Sequence, residues 1–170
     1  MKLITSPNHR FDRWMYRGAR PNRVARTLNA PWAKLSAAGV WPTRLVTLRA
    51  PGRRTGRSTS VPLVVANYQG ERYLVSMLGP NANWVHNVRA ANGDVTLQHG
   101  RSEQVHLVEV DPAERAPILR QYLEVAPGAR AHIPVRRKAP VEDFAAIAAM
   151  FPVFRITGAG PTSAGPATGS

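Results

Sequence analysis

The 170-residue sequence contains no cysteine. Its absence excludes a disulfide scaffold, a cysteine-ligated zinc or iron–sulfur site and a thiol nucleophile. No apolar run approaches the roughly 18 residues that a membrane-spanning helix needs, and residues 1–10 lack the apolar stretch of a secretory signal. We therefore expect a cytoplasmic protein. With 44% hydrophobic and 19% charged residues, the composition is that of a soluble globular chain of about one domain.

Acidic residues are scarce, with 10 of them against 23 lysines and arginines, which gives a formal net charge of +13. The excess is local, because the first 60 residues hold 13 basic residues and one acid, against 10 and nine in the rest. A coding bias toward arginine would explain why 20 arginines accompany three lysines, but not this asymmetry. The distribution predicts an anionic partner for the first third of the chain.

Several familiar catalytic motifs are also absent. The sequence has no H-E-x-x-H, no G-x-S-x-G and no P-loop. Its five histidines lack metal-ligand spacing, and its acids do not form a convincing general acid–base pair. We predict no metal site, and demanding chemistry would require a bound organic cofactor.

Residues 1–43 are predicted to form a basic amphipathic arm. Val24, Leu28, Trp32 and Leu35 recur at helical spacing, and most of the arginines fall off that stripe. Such an arm docks either onto its own domain or onto an anionic membrane surface, which here would be the inner face of the plasma membrane. Residues 158–170 are mainly Gly, Ala, Pro, Ser and Thr, and are predicted to be disordered.

From Arg44 onward the pattern changes to short runs of β-forming residues. The predicted strands cover residues 45–48, 61–66, 73–77, 94–99, 104–110 and 153–156. Pro62 lies inside the second run, and a proline there predicts an edge or a break in the strand.

Helices are predicted over residues 81–91, from Asp111 onward, and over residues 141–150. Asp111 is a suitable N-cap and Pro112 a suitable first helical residue. Five to seven short strands with few helices predict a small β-barrel of α+β type over residues 44–157.

The densest chemical signal lies between the first two strands, in the sequence Gly52-Arg53-Arg54-Thr55-Gly56-Arg57. Its glycines permit a tight turn, and its arginines carry forked donors that suit phosphate and carboxylate groups. The pattern predicts a polyanion-binding loop, with a solvated basic turn as the alternative.

A second signal begins at Ser76, where a strand ends in Gly79-Pro80 and a helix follows. Trp84 and Asn87 are three residues apart and share one face of that helix. They suit a flat heterocycle, although Trp84 as core and Asn87 as a surface residue would be equally consistent.

Taken together, Gly52-Arg53-Arg54-Thr55-Gly56, Pro62-Leu63 and Trp84-x-x-Asn87 resemble the deazaflavin-dependent nitroreductase family of flavin/deazaflavin oxidoreductases. The resemblance covers residues 40–110, and is weaker at Ile133-Pro134 and in the last strand. It implies an α+β fold built on a split β-barrel with a few peripheral helices. It also implies coenzyme F420, a 5-deazaflavin with a phosphodiester and a polyglutamate tail, as cofactor.

By this resemblance, Arg53, Arg54 and Thr55 would hold the phosphate and the glutamates. The residues that would line the cofactor on the second strand and contact the deazaflavin ring are Thr59, Ser60, Val61, Pro62, Leu63, Ser76, Met77, Leu78 and Gly79. The helix residues that would close the site are Asn83, Trp84 and Asn87. Ser76, Tyr122 and His132 are the candidate proton donors, with solvent as the alternative.

The sequence departs from the family at two places. Leu78-Gly79-Pro80 stands where a basic residue is common, and residues 126–132 lack the tyrosines of nitro-reducing members. This favours a lipid-acting branch and a hydrophobic small-molecule acceptor: an unsaturated lipid, a quinone or a nitro compound. The alternatives are a split barrel that binds FMN or haem, and a non-enzymatic module that binds lipid or another anion. No nucleic-acid motif is present, and the sequence does not predict an oligomeric state.

Overall fold

A computed structural model of the protein describes residues 44–158. The six strands are Leu45–Pro51 (β1), Ser58–Tyr68 (β2), Glu71–Val75 (β3), Asp94–His99 (β4), Arg101–Glu109 (β5) and Val153–Gly158 (β6). They form a closed antiparallel barrel in the order β1-β2-β3-β6-β5-β4. The predicted arm and all of the predicted tail beyond Gly158 lie outside the described residues.

Within residues 44–158, three α-helices accompany the barrel, as the sequence predicts. They are Asn83–Ala90 (α1), Arg115–Val125 (α2) and Val141–Ile147 (α3), and short 3-10 turns occupy Pro112–Glu114, Pro127–Ala131 and Ala148–Met150. None of the helices in residues 44–158 has the length and apolar character needed to cross a bilayer. The predicted α+β class with a split barrel and peripheral helices is confirmed.

The strands separate two hydrophobic cores because successive side chains point to opposite faces. In β3, Leu74 packs inside the barrel, whereas Tyr73 and Val75 pack outside it beneath α2 and α3. The same alternation places Phe154 of β6 inside and Val153 outside. Strand register therefore fixes both cores at once, since a slip of one residue would exchange them.

Helix α1 closes the end of the barrel at which β1 ends and β4 begins. Its residues Val85 and Val88 are buried in the same cluster as the inward-facing strand residues. The ring of Trp84 lies against that of Phe154, with 5.4 Å between their centroids. This end of the barrel therefore holds a helix and two loops rather than strand turns alone.

Pro62 lies on a stretch of β2 that has only one neighbouring strand. β2 pairs with β1 from Ser58 to Val64, but with β3 only from Val65 to Tyr68. The N–H of Val65 donates to the carbonyl of Arg44 on the β1 side, so alternation turns the nitrogen of Pro62 toward the unpaired side. No ladder bond is lost there, and the predicted edge is confirmed.

Several predicted boundaries differ from the observed ones. β3 ends at Val75 rather than at residue 77, because the N–H of Ser76 bonds to the carbonyl of Pro152 and the chain then turns. The carboxylate of Asp111 accepts the N–H of Ala113 at 2.9 Å. It caps the 3-10 turn, and α2 begins only at Arg115. The remaining differences are longer strands β1, β2, β5 and β6, a shorter α1, and an α3 that ends at Ile147 before the last 3-10 turn.

Candidate cofactor site

The loop between β1 and β2 is folded tightly on its own backbone. The N–H of Gly52 donates to the carbonyl of Arg57 at 2.8 Å, and the N–H of Gly56 donates to the carbonyl of Gly52 at 2.8 Å. A Cβ at Gly52 would lie 3.1 Å from the Arg57 oxygen, and Gly56 has a φ of +68°. Both glycines are thus required by the turn, as the sequence predicts.

The three arginines of this loop, Arg53, Arg54 and Arg57, are exposed. Within residues 44–158, their side chains make no hydrogen bond and no ion pair. Every ion pair in this part of the chain uses a base from residue 72 onward: Arg72–Glu103, Arg89–Glu109, His106–Asp94, Arg115–Glu109 and Arg137–Glu124. The loop therefore presents three guanidinium groups on a fixed backbone, with no carboxylate among the described residues neutralising them.

Asn87 fastens this loop to α1. Its side-chain oxygen accepts the N–H of Arg53 at 3.2 Å, and its nitrogen donates to the hydroxyl of Thr59 at 3.2 Å. The hydroxyl of Thr59 in turn donates to the carbonyl of Ala50 at 2.8 Å. Asn87 is only 5% exposed, so the interpretation of this residue as a surface polar group is wrong.

Residues 76–79, predicted to contact the deazaflavin ring, form a closed turn at the end of β3. The hydroxyl of Ser76 donates to the carbonyl of Gly79 at 2.7 Å, and the N–H of Gly79 donates back to the carbonyl of Ser76 at 3.1 Å. Gly79 has a φ of +83°. Met77 packs partly against the outer core and Leu78 against the barrel core, which fixes the turn on both sides.

The unpaired edge of β2 extends past the end of β3, where this turn departs. Thr59, Ser60, Val61, Pro62 and Leu63, the predicted lining residues, all lie on that stretch, and the first two are exposed. On the pattern that the Val65 bond sets, backbone groups of alternate residues beginning at Ser60 point to the unpaired side. The structure thus brings the loop, the edge of β2, the turn and α1 to one end of the barrel.

α1 contributes its first turn to this end. Asn83 is exposed and Trp84 is partly buried, and no side chain caps the helix. Trp84 packs with the barrel core and on Phe154, so the interpretation of this residue as core is partly right.

Two of the three candidate proton donors are poorly placed for that role. The hydroxyl hydrogen of Ser76 is committed to Gly79 within a group that is 1% exposed. Tyr122 lies in the outer core beneath the helices, and burial raises the pKa of its hydroxyl. His132 is partly buried just after the turn Pro127–Ala131.

Sequence reasoning missed two residues behind the turn, Arg115 and Glu109. Arg115 lies on the same helical face as Ile118, Leu119 and Tyr122, all of them buried. A charged residue on an otherwise apolar stripe was the available signal, because such a residue requires buried partners.

Comparison with solved structures gives the fold. A protein of unknown function from Agrobacterium tumefaciens aligns with a TM-score of 0.52 at 9% identity, covering 79% of this chain and 57% of that one. An F420-H2-dependent reductase aligns with a TM-score of 0.47 at 20% identity, covering 67% and 94%. A NimC/NimA family protein from Clostridium acetobutylicum aligns with a TM-score of 0.46 at 15% identity, covering 88% of both chains.

No curated protein matches the chain, but a family model does, and it spans most of the sequence. It covers residues 13–142, which include the loop, the turn and α1. Coenzyme F420, the predicted cofactor, is therefore confirmed. The chain belongs to the F420H(2)-dependent quinone reductase family.

Proposed function

We propose that the protein transfers a hydride from reduced coenzyme F420 to a quinone. The observation that carries the proposal is the loop of residues 52–57, which holds three guanidinium groups without a partner in residues 44–158, at the end of the barrel where the turn and the open strand edge also lie. The family description names a quinone, which supports a quinone rather than an unsaturated lipid or a nitro compound as the acceptor we propose.

The loop residues fit the anionic part of the cofactor. A phosphodiester followed by glutamates presents several negative oxygens in a row, and arginine binds such oxygens through paired donors. Because the loop backbone is fixed by its own hydrogen bonds and by Asn87, little ordering is needed when the anion binds. Arg53 and Arg54 would hold the phosphate and glutamates, with the Thr55 hydroxyl beside them.

The turn and the open edge of β2 fit the flat, polar ring. Backbone N–H and C=O groups on an unpaired strand edge can bond to a heterocycle as they would to another strand. Residues 76–79 supply a rigid backbone opposite this edge, and Trp84 adds an aromatic surface. The ring would be held between main-chain groups, which explains why few side chains in this region are ionisable.

When bound, the reduced deazaflavin supplies a hydride from C5, which the quinone takes up together with a proton to give the hydroquinone. The chain's part is to bind, to orient and to exclude water. We assign the proton to solvent, because the hydroxyl of Ser76 is committed to Gly79 and that of Tyr122 is buried with a raised pKa.

An exposed methionine beside the turn supports a hydrophobic acceptor. Met150 is 56% exposed, and a Cβ at Gly79 would lie 3.4 Å from its carbonyl oxygen. A flexible thioether side chain suits a flat apolar molecule of variable substitution. Contact of residues 1–43 with an anionic membrane, where a lipophilic quinone would be met, stays a prediction.

The test is a titration with F420 that follows tryptophan fluorescence, with FMN titrated in parallel. Arg54→Ala should weaken F420 binding by about 1.5–3 kcal/mol, roughly a 10- to 150-fold rise in Kd, as for a lost hydrogen bond to a charged group. Arg120→Ala is the matched control, because Arg120 is also exposed, without an ion pair in residues 44–158, but lies on α2.

Turnover is measured with reduced F420 and the soluble quinone menadione. The proposal is supported if Arg54→Ala loses turnover in proportion to the fraction of protein with F420 bound. Arg120→Ala should keep the turnover of the unmodified protein. Equal F420 affinity in both variants would remove the loop from the site. Saturable F420 binding without menadione reduction would retain the cofactor and reject the quinone.

A further inference from the structure

Arg115 is the one arginine of residues 44–158 that is almost fully buried, at 5% exposure. Its Nε donates to the carbonyl of Val110 at 2.8 Å. Its Nη1 donates to the carbonyls of Phe151 and Ala148 at 3.3 and 3.4 Å. These two carbonyls belong to the 3-10 turn Ala148–Met150 and the residue after it; that of Ala148 also accepts the N–H of Phe151 at 3.3 Å. Arg115 therefore fixes the position of that turn.

The turn Ala148–Met150 in turn backs residues 76–79. Gly79 lies so close to the carbonyl of Met150 that a Cβ would be 3.4 Å from it. The N–H of Ser76 donates to the carbonyl of Pro152 at 2.9 Å. A displacement of the 148–152 backbone would consequently move the segment assigned to the deazaflavin ring.

Glu109 links this support to α1. One of its carboxylate oxygens lies 3.3 Å from Nη2 of Arg115 and 2.7 Å from Nη2 of Arg89, while the other accepts Nε of Arg89 at 3.0 Å. Arg89 is in the last turn of α1, the helix that carries Trp84 and Asn87. A single carboxylate at the end of β5 thus holds both walls of the site.

We propose that Glu109, with Arg89 and Arg115, sets the spacing between α1 and residues 76–79, and so positions the deazaflavin ring without touching it. The inference rests on the proposed site. Stability alone is a weak explanation, because the side chains of Glu109 and Arg89 are 31% and 42% exposed and ion pairs in contact with solvent contribute little net free energy. What the three residues do supply is a fixed distance, since a bidentate pair and a carbonyl clamp each allow one geometry.

The chain provides a matched control on the same strand. Glu103 also accepts a bidentate bond from an arginine, with Arg72 Nη2 and Nη1 at 2.7 and 3.0 Å, but at the opposite end of the barrel. Glu109→Gln and Glu103→Gln each replace one such carboxylate by a neutral group of the same shape. Any effect common to both variants reports the loss of an ion pair. An effect seen only in Glu109→Gln reports a displacement of residues at the proposed site.

We expect Glu109→Gln to raise the Kd for F420 about tenfold and to lower kcat/KM by a similar factor or more, because a displacement near 1 Å can reduce a rate by about a hundredfold. The absorption band of bound F420 should also shift, since the ring environment changes. Glu103→Gln should leave all three unchanged. Both variants should lose a similar, small part of their thermal stability.

Equal F420 affinity and an equal absorption band in the two variants would overturn the inference while leaving the proposed function intact, whereas no F420 binding by the unmodified protein would reject the site itself. If Glu109→Gln does not fold, Arg115→Lys is compared with Arg72→Lys in the same way. Lysine cannot reach Val110 and the 148–151 carbonyls together, so unchanged affinity in Arg115→Lys would also overturn it.

Discussion

The loop of residues 52–57 and the opposite end of the barrel use arginine in opposite ways. At the end closed by α1, the guanidinium groups of Arg53, Arg54 and Arg57 have no partner in residues 44–158. At the other end, Arg72 forms a bidentate pair with Glu103 across the barrel mouth. The first arrangement leaves the binding capacity of arginine available to a ligand, and the second consumes it within the protein. Partnering, rather than residue type, therefore separates the arginines that we propose to bind the cofactor from the structural ones.

The backbone is also held differently in these two regions. The loop that carries the unpaired arginines is fixed by Gly52, Gly56 and Asn87, whereas the turns at the other end are two-residue or one-residue connections at Gln69-Gly70 and Gly100. Fixed main chain with unpaired charged side chains is expected of a preorganised anion site. If this interpretation is right, removing charge from the loop should affect binding, and removing the fixation should affect both binding and stability.

Asn87→Ala should have the largest effect, because it removes the fixation of the loop and so affects both F420 binding and stability. Truncation leaves the N–H of Arg53 without its acceptor and removes the donor to the Thr59 hydroxyl, which keeps its bond to the carbonyl of Ala50. We expect a loss of about 1–3 kcal/mol in the free energy of unfolding, because two hydrogen bonds are lost at about 0.5–1.5 kcal/mol each. Urea denaturation measures the first effect, and F420 titration measures the accompanying rise in Kd.

Asn67→Ala is the control for that substitution, because Asn67 is exposed on β2 and its side chain makes no hydrogen bond within residues 44–158. It should change the unfolding free energy by no more than about 0.5 kcal/mol and leave F420 affinity as it is. If the two alanine variants were equally stable, Asn87 would not be the residue that fixes the loop.

The salt dependence of F420 affinity should also reveal the loop arginines, with a smaller effect than that of Asn87→Ala. Exposed charges are screened over about 10 Å at 0.1 M ionic strength and about 3 Å at 1 M. F420 affinity should therefore fall several-fold over that range in the unmodified protein, and less steeply in Arg54→Ala. Isothermal titration at three KCl concentrations measures the slope, and parallel slopes for the two proteins would mean that Arg54 does not face the anionic tail.

The sequence predicted the parts of the candidate site more completely than the contacts that hold those parts in place. The loop glycines, the edge at Pro62 and the helix with Trp84 and Asn87 were all visible, because each depends on local backbone requirements or on spacing within one element. Glu109 and Arg115 were not recognised, because their roles depend on Arg89 and on the 148–151 carbonyls. Those contacts arise only when four elements meet.

The end of β3 illustrates the same limit on a smaller scale. Residues 73–77 are predicted to form one strand, yet the strand stops at Val75 because Pro152, the residue opposite Ser76 and 76 residues away in sequence, has no N–H to return the bond that its carbonyl accepts. Likewise, asparagine is a residue type that is usually exposed, yet Asn87 is buried where its side chain bonds to the loop of residues 52–57. Long-range partners thus decide which polar residues become structural.

The smallest effect should come from the Arg72–Glu103 pair, whose side chains are 43% and 45% exposed. Its hydrogen bond from Arg72 lowers the pKa of Glu103, against the opposing effect of burial. A carboxyl with a lower pKa in the folded state contributes stability above its unfolded pKa of about 4.3, and loses it as the pH falls through the folded value. For an exposed pair this contribution is about 0.2–1 kcal/mol. Glu103→Gln should therefore unfold at slightly lower urea than the unmodified protein at pH 7, and the gap should close as the pH approaches 3. A gap that stayed constant with pH would show that packing of the side chain, and not its charge, holds this end of the barrel.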